Sequence, residues 1–273
     1  MHTSRLLGPL VAAVILVACN SLDGNEDNLE LTPVVEPGAW TFLFALPDGS
    51  ASRLAILGFD ATHHLRVAFT VEGKIRQLSQ RGLEVSDIAW IPDERLLVAL
   101  GDPDVSTDLA FMDPANGSIG DRLDVDWDRV VDLHSMDVSP DGTTAIIAAR
   151  EPGPTESPSD LYLVDLETGH AQSVSNTVGA YELSPTFIDS DTIAYVEEES
   201  TVGTGAPNGT VRTLDLNTGK ARVISEPSFV AVSVAAAPQS HDIVYDGFPL
   251  GDRGSQGIWL VSGGDEEPMS IAA

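Results

Sequence analysis

The apolar residues of this chain fall in short runs separated by polar stretches, and no run keeps the three-to-four-residue spacing of an amphipathic helix. The clearest stretch is 134–175, HSMDVSPDGTTAIIAAREPGPTESPSDLYLVDLETGHAQSVS. MDVSPDG reads as a short strand ending in a turn, because Pro140 presets φ and Gly142 tolerates positive φ. TTAIIAAR follows as a buried β-branched strand. After a polar, proline-rich loop, LYLVDL alternates large apolar residues with smaller ones, and ETG turns the chain again. HAQSVS is then polar enough for a sheet edge. The pattern predicts a four-stranded antiparallel meander.

The same punctuation recurs. The turn proline stands at Pro47, Pro92, Pro140, Pro185 and Pro238, and the glycine of the later turn at Gly73, Gly117, Gly169, Gly219 and Gly263. The steps are 45, 48, 45 and 53 residues for the proline and 44, 52, 50 and 44 for the glycine, so two independent marks keep one register. A period of this size made of four short strands predicts an all-β chain, a β-propeller of four-stranded antiparallel blades. Five copies give five blades. Six is the alternative count, and a β-sandwich the alternative architecture.

VSPDGTTAIIAAR followed by DLYLVDLETG resembles the WD40-like β-propeller repeat of the TolB type, whose blades carry an S-P-D-G turn, a strand, and an I-Y-x-x-D-x-x-x-G segment. The match is full in one copy. The others depart from it, as SPTFIDSDTIAYVEEE does from Ser184 onward and IPDERLLVAL does from Ile91. The resemblance covers 38–273 and implies a propeller scaffold rather than a particular activity.

Ahead of the repeats the pattern changes. Residues 1–18 carry Arg5 and then the apolar run LLGPLVAAVILVA, too short for an ordinary membrane span and placed as an export signal. Leu16, Val17, Ala18 and Cys19 resemble a bacterial lipobox, which implies cleavage before Cys19 and lipid on its thiol. Cys19 is the single cysteine of 273 residues, so no intramolecular disulfide forms. The acidic segment that follows, within 19–37, reads as a tether, leaving 38–273 as the propeller domain. The expectation is an exported lipoprotein on the cell membrane or outer membrane, facing periplasm or exterior, and held to the bilayer through lipid alone.

Charge narrows the partners. With 14 Lys plus Arg against 42 Asp plus Glu the net charge is −28, which repels nucleic-acid phosphates and anionic headgroups. The expected partner is an envelope protein or a small ligand, met by a monomer. Chemistry is thin by comparison. There is no G-x-S-x-G elbow, the six histidines lack zinc spacing, and no glycine-rich phosphate loop opens a helix. Asp124, Asp126 and Asp128 alternate as at the start of a calcium loop. However, Arg129 stands where an EF-hand needs glycine, so the reading is no cofactor, with calcium only a weak candidate there.

Fold logic places a ligand site where the first strands of the blades begin. Those starts carry Asp87, His134, Asp137, Tyr181, Glu182 and Ser233, a ring able to take a cation, a basic peptide or a sugar. Two function classes follow. One is a non-enzymatic binding or protein-interaction scaffold; the other is a glycan hydrolase or lyase using the ring carboxylates.

Overall fold

The computed structural model describes residues 41–47, 54–59, 65–71 and 74–77. From 85 to 272 it describes all but 102–107, 128–131, 151–157, 176, 178, 200–208, 227, 238–239, 253–255 and 263–267. The export signal, Cys19 and the tether lie outside the described residues. Every regular element among the described residues is a strand. They fall into two compact units, one through Ser79 and one from Gln80.

The first unit holds one antiparallel meander in chain order, β1 (Thr41–Pro47), β2 (Leu54–Phe59), β3 (Leu65–Val71) and β4 (Lys74–Gln77). Ala55 and Leu57 of β2 are fully buried. The second unit holds four more sheets of the same design. These are β5 (Val85–Trp90), β6 (Leu96–Leu100), β7 (Asp108–Met112) and β8 (Ile119–Leu123), followed by β9 (Asp132–Val138), β10 (Thr144–Arg150), β11 (Asp160–Asp165) and β12 (Ala171–Ser173). Next come β13 (Ala180–Phe187), β14 (Thr192–Glu199), β15 (Gly209–Asp215) and β16 (Lys220–Val223), and last β17 (Phe229–Ala237), β18 (Asp242–Pro249), β19 (Gly257–Val261) and β20 (Met269–Ala272).

Position in the meander explains composition. Second strands are covered on both faces, so β6 reads LLVAL with every residue buried, and β10 buries Ala145 through Ala149. Fourth strands form the free edge and are short and polar, as in the fully exposed KARV of β16. Between the second unit's sheets lie apolar layers. Leu97, Leu109, Ile147 and Val164 share one of them, Ile146, Leu161, Phe187 and Ile193 a second, and Val196, Val211, Ile243 and Tyr245 a third.

Pro140 and the glycines at 117, 169 and 219 stand in turns as the sequence implies. At 139–144 the Gly142 N–H donates to the Ser139 carbonyl at 2.8 Å, and Asp141 Oδ1 accepts from the Ser139 and Thr143 hydroxyls at 2.6 and 2.8 Å. The later turn repeats as Gly117 N–H to Asp113 O, Gly169 to Asp165 and Gly219 to Asp215, at 2.7, 2.9 and 2.8 Å, each glycine with positive φ.

One detail differs from expectation. Pro185 is not in a turn but inside β13, at a bulge where Leu183 pairs with Val196 and Thr186 with Ala194. A proline has no N–H to give a ladder, and a bulge on a sheet's first strand is where that costs least. The turn itself comes at 188–192, where Asp191 N–H donates to Asp189 Oδ1. Asp189 stands 49 residues from both Pro140 and Pro238, which removes the irregular steps of 45 and 53. Met269–Ala272 forms the fourth strand of its own sheet against β19; in the sequence it is also a candidate to pair with the segment 31–35 across a seam. Residues 31–35 lie outside the described ones.

Candidate functional site

In the second unit the first strands β5, β9, β13 and β17 stand side by side. Each carries one extra residue relative to its partner strand: Ser86 in β5, His134 in β9, the Ser184–Pro185 pair position in β13, and Val232 in β17. A bulge turns its side chain off the regular alternation and bends the strand. His134 and Val232 are accordingly exposed, Val232 at 50%. Ser184 sits at φ +49°, strained for a serine before proline.

The residues beside these bulges join one sheet to the next. A first strand spends one edge on its own sheet and turns N–H groups toward the neighbouring strand, so those donors need acceptors. Asp87 Oδ2 accepts from Met136 N–H at 2.7 Å, and Ser135 Oγ accepts from Ser184 N–H at 3.0 Å. A second row runs parallel. Asp137 Oδ2 accepts from Phe187 N–H at 2.9 Å and from the Thr186 hydroxyl at 3.0 Å, while Thr186 Oγ1 accepts from Ala236 N–H at 3.3 Å. Sequence separations of 49 or 50 residues in all these contacts make them rungs of one repeated ladder.

Burial raises both acids. Asp87 is lifted to about 8 by loss of hydration, against the pull of the Ile88 and Met136 N–H groups, with the charge of Asp137 adding a little. Asp137 is raised for the same reason, opposed by its bonds to Phe187, Val138 and Thr186.

Glu182 lies toward the opposite end of β13 from Thr186 and Phe187, turned to the β9–β12 sheet. It is fully buried; Oε2 accepts from Leu161 N–H at 3.1 Å and from the Ser175 hydroxyl, and Oε1 from Thr177 at 2.8 Å. Its carboxyl is raised by burial first, then by Asp160 and Glu197. Glu197 forms an ion pair with Arg212, 2.9 Å from Nε to Oε1, at an angle unsuited to a hydrogen bond. Asp87 and Asp137 are therefore neighbours, and Glu182 is not part of their group.

The remaining candidates separate as well. Tyr181 is half-buried and pairs with Glu198 across β14. Ser233 is exposed and donates to Asp246, which also accepts from Gln256 at 3.0 Å. Asp124 is exposed, Asp128 lies outside the described residues, and Asp126 belongs to a strap that crosses to the next sheet. In that strap Asp126 N–H donates to Gly169 O at 3.0 Å, and its carboxylate receives Ala171 N–H at 2.5 Å and His170 Nδ1 at 2.8 Å. Trp127 meets Tyr162 edge-on, ring centres 5.7 Å apart. Among the described residues no three His, Cys, Asp or Glu side chains gather as a metal site.

Sequence reasoning missed Ser86, Ser135, Thr186 and Val232. Ser135 and Thr186 were visible as polar residues one period after Asp87 and Asp137; the bulges carry no residue signature.

No protein-family model matches the chain, and no curated protein matches it. Solved structures do. TolB from Acinetobacter baumannii aligns over 86% of this chain and 55% of its own length, at 17% identity and a TM-score of 0.65. A puromycin-hydrolyzing peptidase of Mycobacterium tuberculosis aligns over 88% and 38%, at 12% and 0.63. The GH74 xyloglucanase of Xanthomonas campestris aligns over 83% and 37%, at 13% and 0.55. The chain thus spans about half of that TolB and less of the two enzymes. At these identities the likeness shows the fold: a β-propeller of four-stranded antiparallel blades.

Proposed function

We propose that this protein is a cell-envelope β-propeller, anchored through lipid on Cys19, that works without cofactor as a non-enzymatic scaffold for another envelope protein or a small ligand. The observation that carries the reading is how the first-strand carboxylates are used. Asp87 and Asp137 hold backbone N–H groups of the next strand, and the oxygens of Glu182 are taken by Leu161, Ser175 and Thr177. A hydrolase needs one acid free to protonate a leaving group and one free to attack or to activate water. What faces outward instead are two of the bulge residues, His134 and Val232. Likeness to TolB in fold supports the same class of role, while likeness to a peptidase and a xyloglucanase keeps a glycan hydrolase or lyase as the second reading. Glu182, buried with a raised carboxyl, is the residue that favours it.

The test is site-specific photo-crosslinking in intact envelopes, with the probe at position 134 or 232 and a control at Val223, exposed on the outer strand β16. Adducts of one defined size at 134 and 232 but not at 223 support the scaffold. The same adducts at all three positions, or envelope-glycan cleavage abolished by Glu182→Gln, overturn it. In the same cells Cys19→Ser is expected to move the protein from the membrane to the soluble fraction.

A further inference from the structure

The turns that join third to fourth strands at 113–117, 165–169 and 215–219 share one plan, with each glycine N–H returning to the carbonyl of the aspartate that opens the turn. The residue before the glycine sets one of them apart. Thr168 and Thr218 hold that place in two turns, and the Thr168 hydroxyl donates to Asp165 at 2.8 Å. The first turn carries the exposed Asn116 instead, whose Nδ2 donates to Asp113 Oδ2 at 2.7 Å.

An asparagine before glycine carries a reaction that threonine does not. The Gly117 nitrogen, its proton given to a base, bonds to Cγ of Asn116; the Cγ–Nδ2 bond breaks, and Nδ2 takes a proton from water and leaves as ammonia. Water then opens the resulting succinimide at either carbonyl. One opening yields aspartate, the other an isoaspartate whose main chain runs through Cβ and Cγ. Glycine permits the attack because no side chain crowds its nitrogen, and asparagine is among the thermolabile residues.

In the closed turn the reacting groups are all engaged. Gly117 N–H is held at 2.7 Å by the Asp113 carbonyl, Nδ2 by Asp113 Oδ2, and Oδ1 by Ser118 N–H, also at 2.7 Å. The carboxamide is pinned at both ends, so its carbon reaches Gly117 N only when the turn opens. The bond from Asn116 to Asp113 has a carboxylate acceptor, and one such bond holds opening to about a tenth or less. The product does not close again in the same way. Aspartate at 116 has no N–H for Asp113 and sets a second carboxylate against it, and isoaspartate lengthens the main chain just before Gly117 N–H.

We propose that Asn116–Gly117 is a self-modifying site, a one-way recorder of openings of the β7–β8 turn, whose conversion to aspartate and isoaspartate loosens β8 from β7. β8 is the outer strand of its sheet, with Gly120, Asp121 and Arg122 exposed, so the change uncovers the edge of β7. The site goes beyond the scaffold reading and does not depend on it, because it is read on the purified protein without a partner.

The full chain is held at mildly alkaline pH, native and in urea, and the peptide containing residue 116 is followed by mass spectrometry with isoaspartate detection. Peptide mapping separates it from the chain's other Asn-Gly pair at 208–209. Conversion is expected in both samples, at least about tenfold slower in the native one. Asp113→Ala frees Nδ2 and is expected to raise the native rate several-fold while leaving the urea rate unchanged; if it fails to fold, Asp113→Asn, with a neutral acceptor, serves with a smaller rise. Asn116→Thr is expected to stay unconverted at 116 and to keep the hydrogen-exchange protection of β8, which the converted protein loses. Equal rates in the two conditions, no native conversion within about a hundred urea half-lives, a native rate untouched in the folded Asp113 variant, or unchanged β8 protection after conversion overturns the proposal.

Discussion

Gly169 and Gly219 occupy the same turn in successive sheets, with φ of +76° and +67°, and differ in what lies above them. A Cβ on residue 219 meets nothing within 4 Å, whereas one on residue 169 would stand 2.0 Å from the Asp124 carbonyl oxygen and 2.9 Å from its carbon. Alanine at either site pays for positive φ, about 1–2 kcal/mol. At 169 the clash is with backbone, and overpacking adds about 1–3 kcal/mol unless the strap lifts. Gly219→Ala is thus expected to cost about 1–2 kcal/mol and Gly169→Ala about 2–5 kcal/mol. Urea unfolding of both variants measures the difference. Near-UV circular dichroism reports whether Trp127 has left Tyr162, a contact that only the Gly169 variant disturbs. Equal costs within about 0.5 kcal/mol, or an unchanged aromatic signal in a destabilised Gly169→Ala, would refute the seating of the strap.

The ladder and the surface acids give further tests. Asp137→Ala removes the acceptor of Phe187 N–H and the Thr186 hydroxyl, and is expected to cost about 2–6 kcal/mol in urea unfolding, one to three for each stranded buried donor. Thr186→Val removes the hydroxyl's 3.0 Å donation to Asp137 and its 3.3 Å acceptance from Ala236 N–H, but leaves Phe187 N–H on Asp137, and is expected to cost about 1–3 kcal/mol. On the acid side, Asp141 is held low by the Ser139 hydroxyl and then Thr143, and Asp165 and Asp215 by the N–H groups of Thr168 and Thr218. Their contribution is present above the unfolded value and is lost as pH falls through the folded ones, so melting temperature is expected to drop below about pH 4.

How far the chain was legible depended on what each feature needs from its residues. A tight turn requires positive φ or a carboxylate acceptor, so Gly142, Gly169 and Asp165 announced their places. Strands covered on both faces need unbroken apolar runs, and LLVAL and TAIIAAR showed them. A bulge demands no residue type, which left Ser86 and Val232 unmarked and let Pro185 pass for a turn. Asp87 and Asp137 were found because fold logic singles out the first strand of each sheet. Their task was not, since it depends on an N–H of a strand 49 or 50 residues away. What raises the Asp87 carboxyl is chiefly burial, with the charge of Asp137 adding least.

The completion of each described sheet by consecutive strands, β20 included, also bears on how the chain acquires its shape. A growing polypeptide appears from one end as an unfolded string. Among the described residues every ladder joins stretches adjacent in sequence, so loop-closure entropy is small at each step and a sheet can form once its own segment has emerged. Only the rungs must wait, each for one further repeat. Synthesis and folding can therefore advance together, one repeat at a time.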